Sequence, residues 1–575
     1  MAKGREFVLP SDKLPDVFTI NDTTEEQRLI RQTMREFMAD EVLTEVAKKR
    51  IESKDLPFQR ELLRKLGKLG VLGAEVPEEY GGLGLDKITG AIIAEEIAKQ
   101  GSFATTFLAH TGIGTLPLVY FGTEEQKKKY LPKLVSGEFI GAYSLSEADA
   151  GSDANNAKTK AVLSSDGKHY VLNGEKKFVT NGGFAHLYTV FAKIEGDTKL
   201  TAFLVEGSFS GVIRGKEEHK MGIQGSSTMD LVLQDAIVPV ENLLGERAKG
   251  YKEIALNILN LGRFKMAAAC LGAGRMCLKE SLKYSQQRKQ FGKNISEFGA
   301  IHQKLAQMAA RNYAMESVVY RTAGLLEEAI GKIDANDSRA VLKAIEDFVV
   351  ECSLVKVFCS EALDFIVDEN VQIHGGSGFC EGNPERYYRD SRINRIFEGT
   401  NEINRLLAVG MLLKKAAMGN LPLMQAIKQA TGDSMTPSLG ESEDLSEKLF
   451  QYLNNAKKVV LLAAGSAYQK FGLKLGEHQI LLMALSDCLI NIYVMESSLA
   501  ALVKNKTDSN TILVQLILDD GLFSVERLAR EIVPMCADGD EQRTILAMVR
   551  RLLKFTPVNK EELCNNIADN LLTRG

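Results

Sequence analysis

A change in residue pattern along the chain constrains the fold more than any other feature of the sequence. Short runs of β-branched and aromatic residues interrupt a pattern that is otherwise helical. Four such runs lie between about residues 141 and 249, and turn signals separate them: Tyr170–Leu172, Tyr188–Phe191, Ala202–Val205 and Met229–Leu233, with Asn173-Gly174 and Asn181–Gly183 as turns. Runs of this kind predict antiparallel strands. We therefore expect one β-domain between helical sections.

Helical patterns stand on both sides of the β stretch. Before it, Thr23 with Glu26 and Thr123 with Gln126 fit capping boxes, which mark helix starts. After it, apolar residues recur at helical spacing and predict a single buried face: Ile301, Leu305, Met308, Met315 and Val319. A polar stretch, 431–438, is interpreted as a linker.

These patterns predict an α+β chain of four units. We expect an N-terminal helical domain at 22–140, a middle antiparallel β-domain at 141–249, a C-terminal helical bundle at 250–417 and an added helical domain at 444–575. The Gly-x-Gly-x-x-Gly pattern does not join a strand to a helix anywhere in the sequence, so a Rossmann-type nucleotide site is not expected.

Charge and cysteine usage exclude several classes of function. The formal net charge is −4, and nothing points to nucleic acid as a partner. The eight cysteines form no Cys-x-x-Cys pair, so we expect reduced thiols and no metal. The N-terminus lacks an apolar signal segment, which favours a cytoplasmic protein of bacterial type. No segment is expected to span a bilayer, and Ile480–Ser486, which Asp487 ends, is interpreted as a core helix.

The segment Ile393–Ile403 carries the strongest chemical signal. Glu398 stands among apolar neighbours, directly before Gly399 and a threonine, Thr400, placed to cap a helix. Burial of that carboxylate would raise its pKa and make it a better base. The alternative is a helix-start glutamate that the helix dipole favours. The segment alone leaves both interpretations open.

Three further segments have weaker signals. The loop Tyr143–Asp153 presents hydroxyls and a glycine that suit a polar ring edge or a phosphate, or forms a plain polar loop. Gln372–Phe379 is rich in glycine, and its His374 is interpreted as structural. Arg288–Gly292 contains an arginine that suits a diphosphate, although a solvated helix end is the commoner case.

Together and in this order, the segments resemble the acyl-CoA dehydrogenase family. The resemblance covers roughly residues 24–417, through these stretches: Pro77–Gly84, Tyr143–Asp153, Asn173–Gly183, Met221–Ile223, Arg288–Gly292 and Gln372–Thr400. Phe298-Gly299, the stretch Asn260–Arg263 and the C-terminal extension look most like the very-long-chain branch.

The resemblance implies an oxidoreductase of fatty acid β-oxidation that binds FAD and converts long-chain acyl-CoA to trans-2-enoyl-CoA. In such enzymes a glutamate removes the pro-R α-proton while hydride passes from the β-carbon to flavin N5. Here that glutamate is Glu398, whose N–H would hold the thioester carbonyl together with a flavin hydroxyl. The resemblance also implies a homodimer, with electron transfer flavoprotein as electron acceptor.

Site residues carry over by position. Those assigned to the cofactor are Tyr143, Leu145, Ser146, Phe178, Thr180, Arg288, Gln372, Gly375, Gly376, Thr400 and Glu402. Those on the substrate side are Ser152, Asn260, Arg263 and Gly399. The family has a second location for its base, occupied here by Gly262, which cannot abstract a proton. Phe178 stands where the family commonly has tryptophan, so we expect altered flavin packing.

Two rival functions share these motifs. An acyl-CoA oxidase would pass electrons to oxygen, and a relative of the very-long-chain branch serves as an assembly factor for a respiratory complex. A third alternative is a non-thioester substrate such as a nitroalkane. Leu412–Lys415 and Leu421–Met424 interleave apolar and basic residues, which fits peripheral membrane contact or, as we prefer, a helix packed on the core.

Overall fold

The computed structural model describes residues 6–334, 337–380, 382–435 and 442–574. Its first section is helical. The helices ahead of the sheet are α1 (Glu25–Phe37), α2 (Glu45–Glu52), α3 (Leu56–Lys68), α4 (Lys87–Ile97), α5 (Gly101–Leu108), α6 (Leu116–Phe121) and α7 (Glu124–Val135). Helix α4 is buried along its whole length, and so forms the centre of this section.

Hydrogen-bonded caps start α1 and α7. In α1 the Gln27 N–H donates to Thr24 Oγ1 at 3.2 Å, and the Thr24 N–H donates to the Gln27 side chain at 3.0 Å. The predicted box at Thr23 is therefore wrong by one residue, because the Thr23 hydroxyl donates to a preceding carbonyl instead. The box of Thr123 with Gln126 is confirmed.

The middle section is one sheet of mixed direction. In spatial order its strands are β6-β7-β3-β2-β4-β5-β8, with β1 paired to β4. The strands are β1 (Gly141–Ser144), β2 (Lys160–Leu163), β3 (His169–Thr180), β4 (Leu187–Ile194), β5 (Leu200–Glu206), β6 (Val212–Glu217), β7 (Thr228–Pro239) and β8 (Leu243–Leu244). The expectation of a purely antiparallel domain needs correction, since β1 and β2 both run parallel to β4.

One predicted turn lies inside a strand. Asn173-Gly174 falls within β3, where the pairing with β7 shifts register between Leu172 and Gly174. The Asn173 side chain donates to Asp235 Oδ1 on β7 at 3.0 Å. The Asn-Gly pair therefore forms a bulge in β3 where it pairs with β7, and the turn predicted there is wrong. The turn at Asn181–Gly183 is confirmed.

Helices return after the sheet. They are α8 (Leu256–Gln287), α9 (Gly299–Ile330), α10 (Ser338–Glu346), α11 (Val349–His374), α12 (Gly376–Phe379), α13 (Asn383–Ser391) and α14 (Asn401–Ala417), with a small hairpin of β9 (Lys289–Gln290) and β10 (Lys293–Asn294) after α8. The face predicted on α9 is confirmed: Leu305, Met308, Met315 and Val319 are buried, and Ile301 is half-buried.

The final section is helical too. It contains α15 (Leu423–Met435), α16 (Leu445–Phe471), α17 (Gln479–Lys504), α18 (Asp508–Cys536), α19 (Gly539–Leu552) and α20 (Lys560–Arg574). The linker interpretation of 431–438 is wrong for Thr431–Met435, which are helical because Ala430 and Ser434 are buried. Residues 436–438 lie outside the described residues. Leu412 and Leu421, in the stretches weighed for membrane contact, are buried in the protein.

Among the described residues, two helical stretches are long and apolar enough in composition to cross a membrane, contrary to the sequence-based expectation. They are Gly250–Gln287, which contains an 18-residue segment of mean hydropathy 1.3, and Gln479–Lys504, which contains one of mean hydropathy 1.5. Most of each apolar stretch is buried inside the protein. The prediction of a core helix at Ile480–Ser486 is borne out for Leu481, Leu482 and Leu485, which are buried.

A buried ion cluster joins the final section to the bundle. Glu496 on α17 accepts from Arg321 on α9 at 2.7 Å and from Lys457 on α16 at 2.5 Å. All three side chains are almost fully buried. A buried charge is strongly destabilising when it loses its partner, so this cluster fixes how α16 and α17 sit on α9.

Candidate active site

A left-handed turn carries the glutamate that the sequence singles out. Glu398 has a φ of 58° and Gly399 a φ of 80°, just before α14. For a residue other than glycine this conformation costs about 1–3 kcal/mol and persists only where the surroundings impose it. Thr400 caps α14 as predicted, with its Oγ1 accepting from the Ile403 N–H at 3.3 Å.

Buried donors from three helices hold this turn. Arg263 Nε on α8 donates to the Glu398 carbonyl at 3.2 Å. Lys356 Nζ on α11 donates to the Gly399 carbonyl at 2.8 Å, and Asn404 Nδ2 on α14 donates to the same oxygen at 2.8 Å. Because all three side chains are buried, the hydrogen bonds fix the turn against the packed helices.

Lys356 is a site residue that sequence reasoning missed. It lies in the middle of α11, where nothing in the local sequence distinguishes it from a surface lysine. Its ammonium also donates to Asn401 Oδ1 at 2.7 Å. Burial lowers the pKa of Lys356 to about 8. A mostly charged ammonium therefore lies beneath the Glu398 turn at neutral pH.

The Glu398 carboxyl group has little to stabilise its charge. Its Oε2 atom is buried and has no hydrogen-bond partner among the described residues. Burial raises the pKa of Glu398 to about 7, against the opposing charges of Arg263 and Lys356. A carboxylate with a pKa near the working pH is well matched to general-base catalysis. The environment thus favours the base over the helix-start alternative.

Gly262 on α8 faces the Glu398 carboxyl group. A Cβ atom at position 262 would lie 2.5 Å from Glu398 Oε2, closer than atoms can pack. In the family that the sequence resembles, position 262 is the second location for the base. Side chains at positions 262 and 398 would therefore occupy the same space. In this chain Glu398 fills that volume, and the glycine makes room for it.

A largely apolar cavity of about 140 Å³ extends from Glu398. Helix α5 and the turn after it supply small residues to its wall: Gly101, Ala104, Ala109 and Gly112. Small residues at such positions can either leave room for a channel or let helices pack closely. Both occur, because Gly114 packs instead against Gly141, whose carbonyl carbon would lie 2.8 Å from an added Cβ.

Two charged side chains in the cavity wall were also missed. Lys265 pairs with buried Glu75, and Asp390 accepts from the Ile223 N–H. Burial, together with the charge of Glu52, raises the pKa of Asp390 to about 7. Lys265 had a detectable signal, since it stands three residues after Gly262 on one face of α8, whereas Asp390 had none.

Residues predicted for the flavin ring lie at the ends of β1 and β3. The Tyr143 hydroxyl is buried without a hydrogen-bond partner among the described residues, and Thr180 lines the cavity with Glu398. Phe178 has a φ of 57° and is 66% exposed. Leu145 is buried, and the Ser146 carbonyl accepts from a backbone N–H of β3 at 2.9 Å. An exposed ring on β3 and a buried hydroxyl that has no partner among the described residues suit a flat polar cofactor.

Residues predicted for the diphosphate form a separate surface. Arg288 follows α8, whereas Gln372, Gly375 and Gly376 lie at the end of α11 and the start of α12, and all four are exposed. The Tyr284 hydroxyl joins the two helix ends by donating to the His374 carbonyl at 3.2 Å. His374 is structural as expected, since its Nδ1 bonds the Asn370 carbonyl at 2.8 Å.

The remaining predicted residues divide into two groups. Asn260 is buried beside Glu398, where its Oδ1 accepts from Arg263 at 2.6 Å. Ser152 and Glu402 are exposed. Tyr251, which precedes α8, relates the Ser152 loop to Arg263. Burial raises the pKa of Tyr251, and the charges of both Arg263 and Asp153 also act on its hydroxyl. Because Asp153 directly follows Ser152, the loop that contains Ser152 lies on the Arg263 side of the site.

Comparison with protein families matches four stretches of the chain. Models of the acyl-CoA dehydrogenase N-terminal, middle and C-terminal domains match residues 24–138, 142–236 and 249–412. A further acyl-CoA dehydrogenase C-terminal domain model matches residues 455–551, in the final helical section. The chain belongs to the acyl-CoA dehydrogenase family.

Individual relatives agree with this assignment. A probable acyl-CoA dehydrogenase of Bacillus subtilis is 46% identical over 97% of this chain and 95% of its own length. The bovine mitochondrial very long-chain specific acyl-CoA dehydrogenase is 38% identical over 75% of this chain and 68% of its own. The crystal structure of a Bacillus anthracis acyl-CoA dehydrogenase complexed with FAD superposes with a TM-score of 0.97, at 44% identity, and covers 100% of this chain and 99% of that one.

Replacing Gly262 by alanine tests the fit of the turn. The new methyl group would displace the Glu398 carboxyl group, and a misplacement of about 1 Å costs on the order of 10²-fold in rate. We expect kcat/KM for an acyl-CoA to fall by about that factor, measured by dye reduction.

The matched control is Gly410→Ala, on the exposed side of α14, where an added Cβ meets no atom within 4 Å. That variant should keep full activity. Unchanged activity in Gly262→Ala would show that Glu398 is not held against α8.

Proposed function

We propose that this protein is an FAD-dependent dehydrogenase of long-chain acyl-CoA thioesters, with Glu398 as the base that removes the α-proton. The observation that carries the proposal is the buried Glu398 Oε2, which has no hydrogen-bond partner in the described part of the chain and lies at the head of an apolar cavity. A group that removes a proton from a carbon acid needs such a site, because water there would stabilise the carboxylate and weaken the base.

The residues around the cavity fit FAD. Thr180 lines the cavity, and Phe178 and the Tyr143 hydroxyl, on β3 and β1, would lie against the isoalloxazine ring. Exposed Arg288, on the separate surface described above, suits the diphosphate. Bound there, FAD supplies the acceptor for the hydride that leaves the substrate β-carbon. The B. anthracis relative, which covers this whole chain, is a complex with FAD.

The chain itself supplies proton removal and charge stabilisation. Glu398 takes the α-proton, and its own backbone N–H, aimed by the left-handed turn, donates to the thioester carbonyl as enolate charge develops. Lys356 and Arg263 act as positioning residues, because they donate hydrogen bonds to the carbonyls of the turn. The apolar wall excludes water from the developing charge.

Small residues support a long acyl chain as substrate. Gly101, Ala104 and Gly112 reduce the side-chain bulk on the α5 side of the cavity, where Leu108 and Ile113 supply apolar contacts. The very long-chain specific bovine enzyme is among the relatives. Palmitoyl-CoA should therefore react faster than butyryl-CoA, and the reverse order would exclude a long-chain preference.

Exposed aromatic rings support a homodimer. Phe291 is 93% exposed and Phe379 is 82% exposed, and each lies in one of the two segments that contain the residues assigned to the diphosphate. Aromatic side chains are enriched at protein–protein interfaces relative to the rest of the surface. We propose that a second subunit covers them beside the cofactor, and that electron transfer flavoprotein is the electron acceptor.

Anaerobic titration of Glu398→Gln with palmitoyl-CoA tests the proposed base. Glutamine keeps the size of the side chain but accepts no proton, so flavin reduction should slow by at least about 10²- to 10⁴-fold. The wild-type flavin band should bleach, and so should that of Glu531→Gln, an exposed control on α18. A yellow wild-type protein that no acyl-CoA bleaches would contradict the proposal. A purified protein without flavin would favour a binding role.

The pH profile of Lys356→Met tests the positioning role. The positive charge of Lys356 lowers the pKa of Glu398, so its removal should raise that pKa further. The catalytically active form is the carboxylate, and activity is lost as pH falls through the pKa. The acid limb of kcat/KM, expected near pH 7 in the wild type, should therefore move to higher pH.

The lost hydrogen bonds should also lower kcat/KM about 10- to 100-fold, since charged hydrogen bonds contribute about 1.5–3 kcal/mol. Lys356→Arg should restore the position of the acid limb, and the exposed control Lys128→Met should behave as wild type. If the acid limb of Lys356→Met stays at the wild-type pH, the charge of Lys356 does not set the pKa of Glu398.

A further inference from the structure

A second cavity lies in the final helical section, away from Glu398. Its volume is about 290 Å³, twice that of the cavity at Glu398. Helices α14 to α17 and the turn between α16 and α17 enclose it, together with Val8 from the N-terminal stretch. Its apolar wall includes Leu412, Leu421, Met424, Ile427, Leu461, Ala464, Leu475 and Leu485.

Few polar side chains line this cavity, and those that do can donate hydrogen bonds. Among the described residues that line it, Lys414 is the charged one and Tyr468 carries the hydroxyl, and both are exposed. Neither Lys414 Nζ nor Tyr468 Oη has a hydrogen-bond or ion-pair partner among the described residues. An apolar interior therefore ends at two free donors, one of them positive.

Such a space is unfavourable when nothing fills it. The free-energy cost of a void rises with its volume, and an apolar cavity of about 150 Å³ stays dry and takes up an apolar molecule such as benzene. The present volume is close to the lower bound of about 300 Å³ for small-molecule pockets. It suits one alkyl chain, and the exposed ammonium of Lys414 at the rim favours a chain that carries an anion.

We infer that this cavity binds a free long-chain fatty acid, with the alkyl chain between α14, α15 and α16 and the carboxylate on Lys414 and Tyr468. The site is separate from the acyl cavity: the described residues that line the two cavities do not overlap. Binding here rests on the apolar wall and the free donors, so it stands independently of the function proposed for Glu398.

A single introduced tryptophan tests this site, because the natural chain contains none. Met424 lines the cavity and is 50% exposed, so Met424→Trp places a fluorophore at the rim at little risk to folding. In the FAD-loaded protein, palmitate below its critical micelle concentration should shift this emission to the blue with saturation in the micromolar range. Leu29→Trp, an exposed position on α1, is the matched control and should not respond.

Two further variants in the Met424→Trp background separate chain from head group. Ala464→Phe fills the cavity and should abolish the response. Lys414→Glu reverses the rim charge and should weaken palmitate at least tenfold while leaving hexadecyltrimethylammonium unaffected or tighter. In the parent reporter the cationic amphiphile should bind more weakly than palmitate.

Four outcomes would overturn the inference. They are no saturable response to palmitate, equal affinity for both amphiphiles in the parent reporter, a response that survives Ala464→Phe, and a response to phosphatidylglycerol vesicles with none to free palmitate. The last result would indicate contact with a lipid surface instead of uptake of one fatty acid.

Discussion

The structure depends on the hydrogen bonds that hold one left-handed peptide unit. Arg263 and Lys356 reach the Glu398–Gly399 carbonyls from two long helices, and Asn404 reaches them from the helix that follows. Since Glu398 is not glycine, its φ of 58° would relax without these donors. The donors are buried, so α8, α11 and α14 must pack in one register for the turn to exist.

The same packing sets the chemistry of the carboxyl group. Burial raises the pKa of Glu398 to about 7, and the charges of Arg263 and Lys356 keep it from rising further. Burial alone would leave a protonated acid at neutral pH, and closer charge pairing would leave a weak base. Gly262 completes the arrangement, because its missing side chain is the space in which the carboxyl group lies.

The parts of the site and fold that depend on a short stretch of sequence were predicted, whereas those that depend on which segments pack together were not. The glycine and the capping threonine after Glu398 marked the turn, and periodic apolar residues marked α9. Lys356 and Asp390 were missed because their roles come from what packs on their helices. Strand direction was missed for a related reason: the four runs mark β3, β4, β5 and β7, whereas β1 and β2, the strands that pair in parallel with β4, lie outside them. Gly432 suggested a linker, yet burial of its neighbours keeps α15 helical.

The central claim is that Glu398 titrates near neutrality in the resting enzyme. Infrared difference spectroscopy of the wild type against Glu398→Gln, over a pH series and without substrate, isolates the carboxyl band of this one group. The account predicts a protonated carboxyl band that disappears with a midpoint near pH 7. A midpoint near 4.5, the ordinary value for glutamate, would mean that the carboxylate is solvated and that the turn does not create the base.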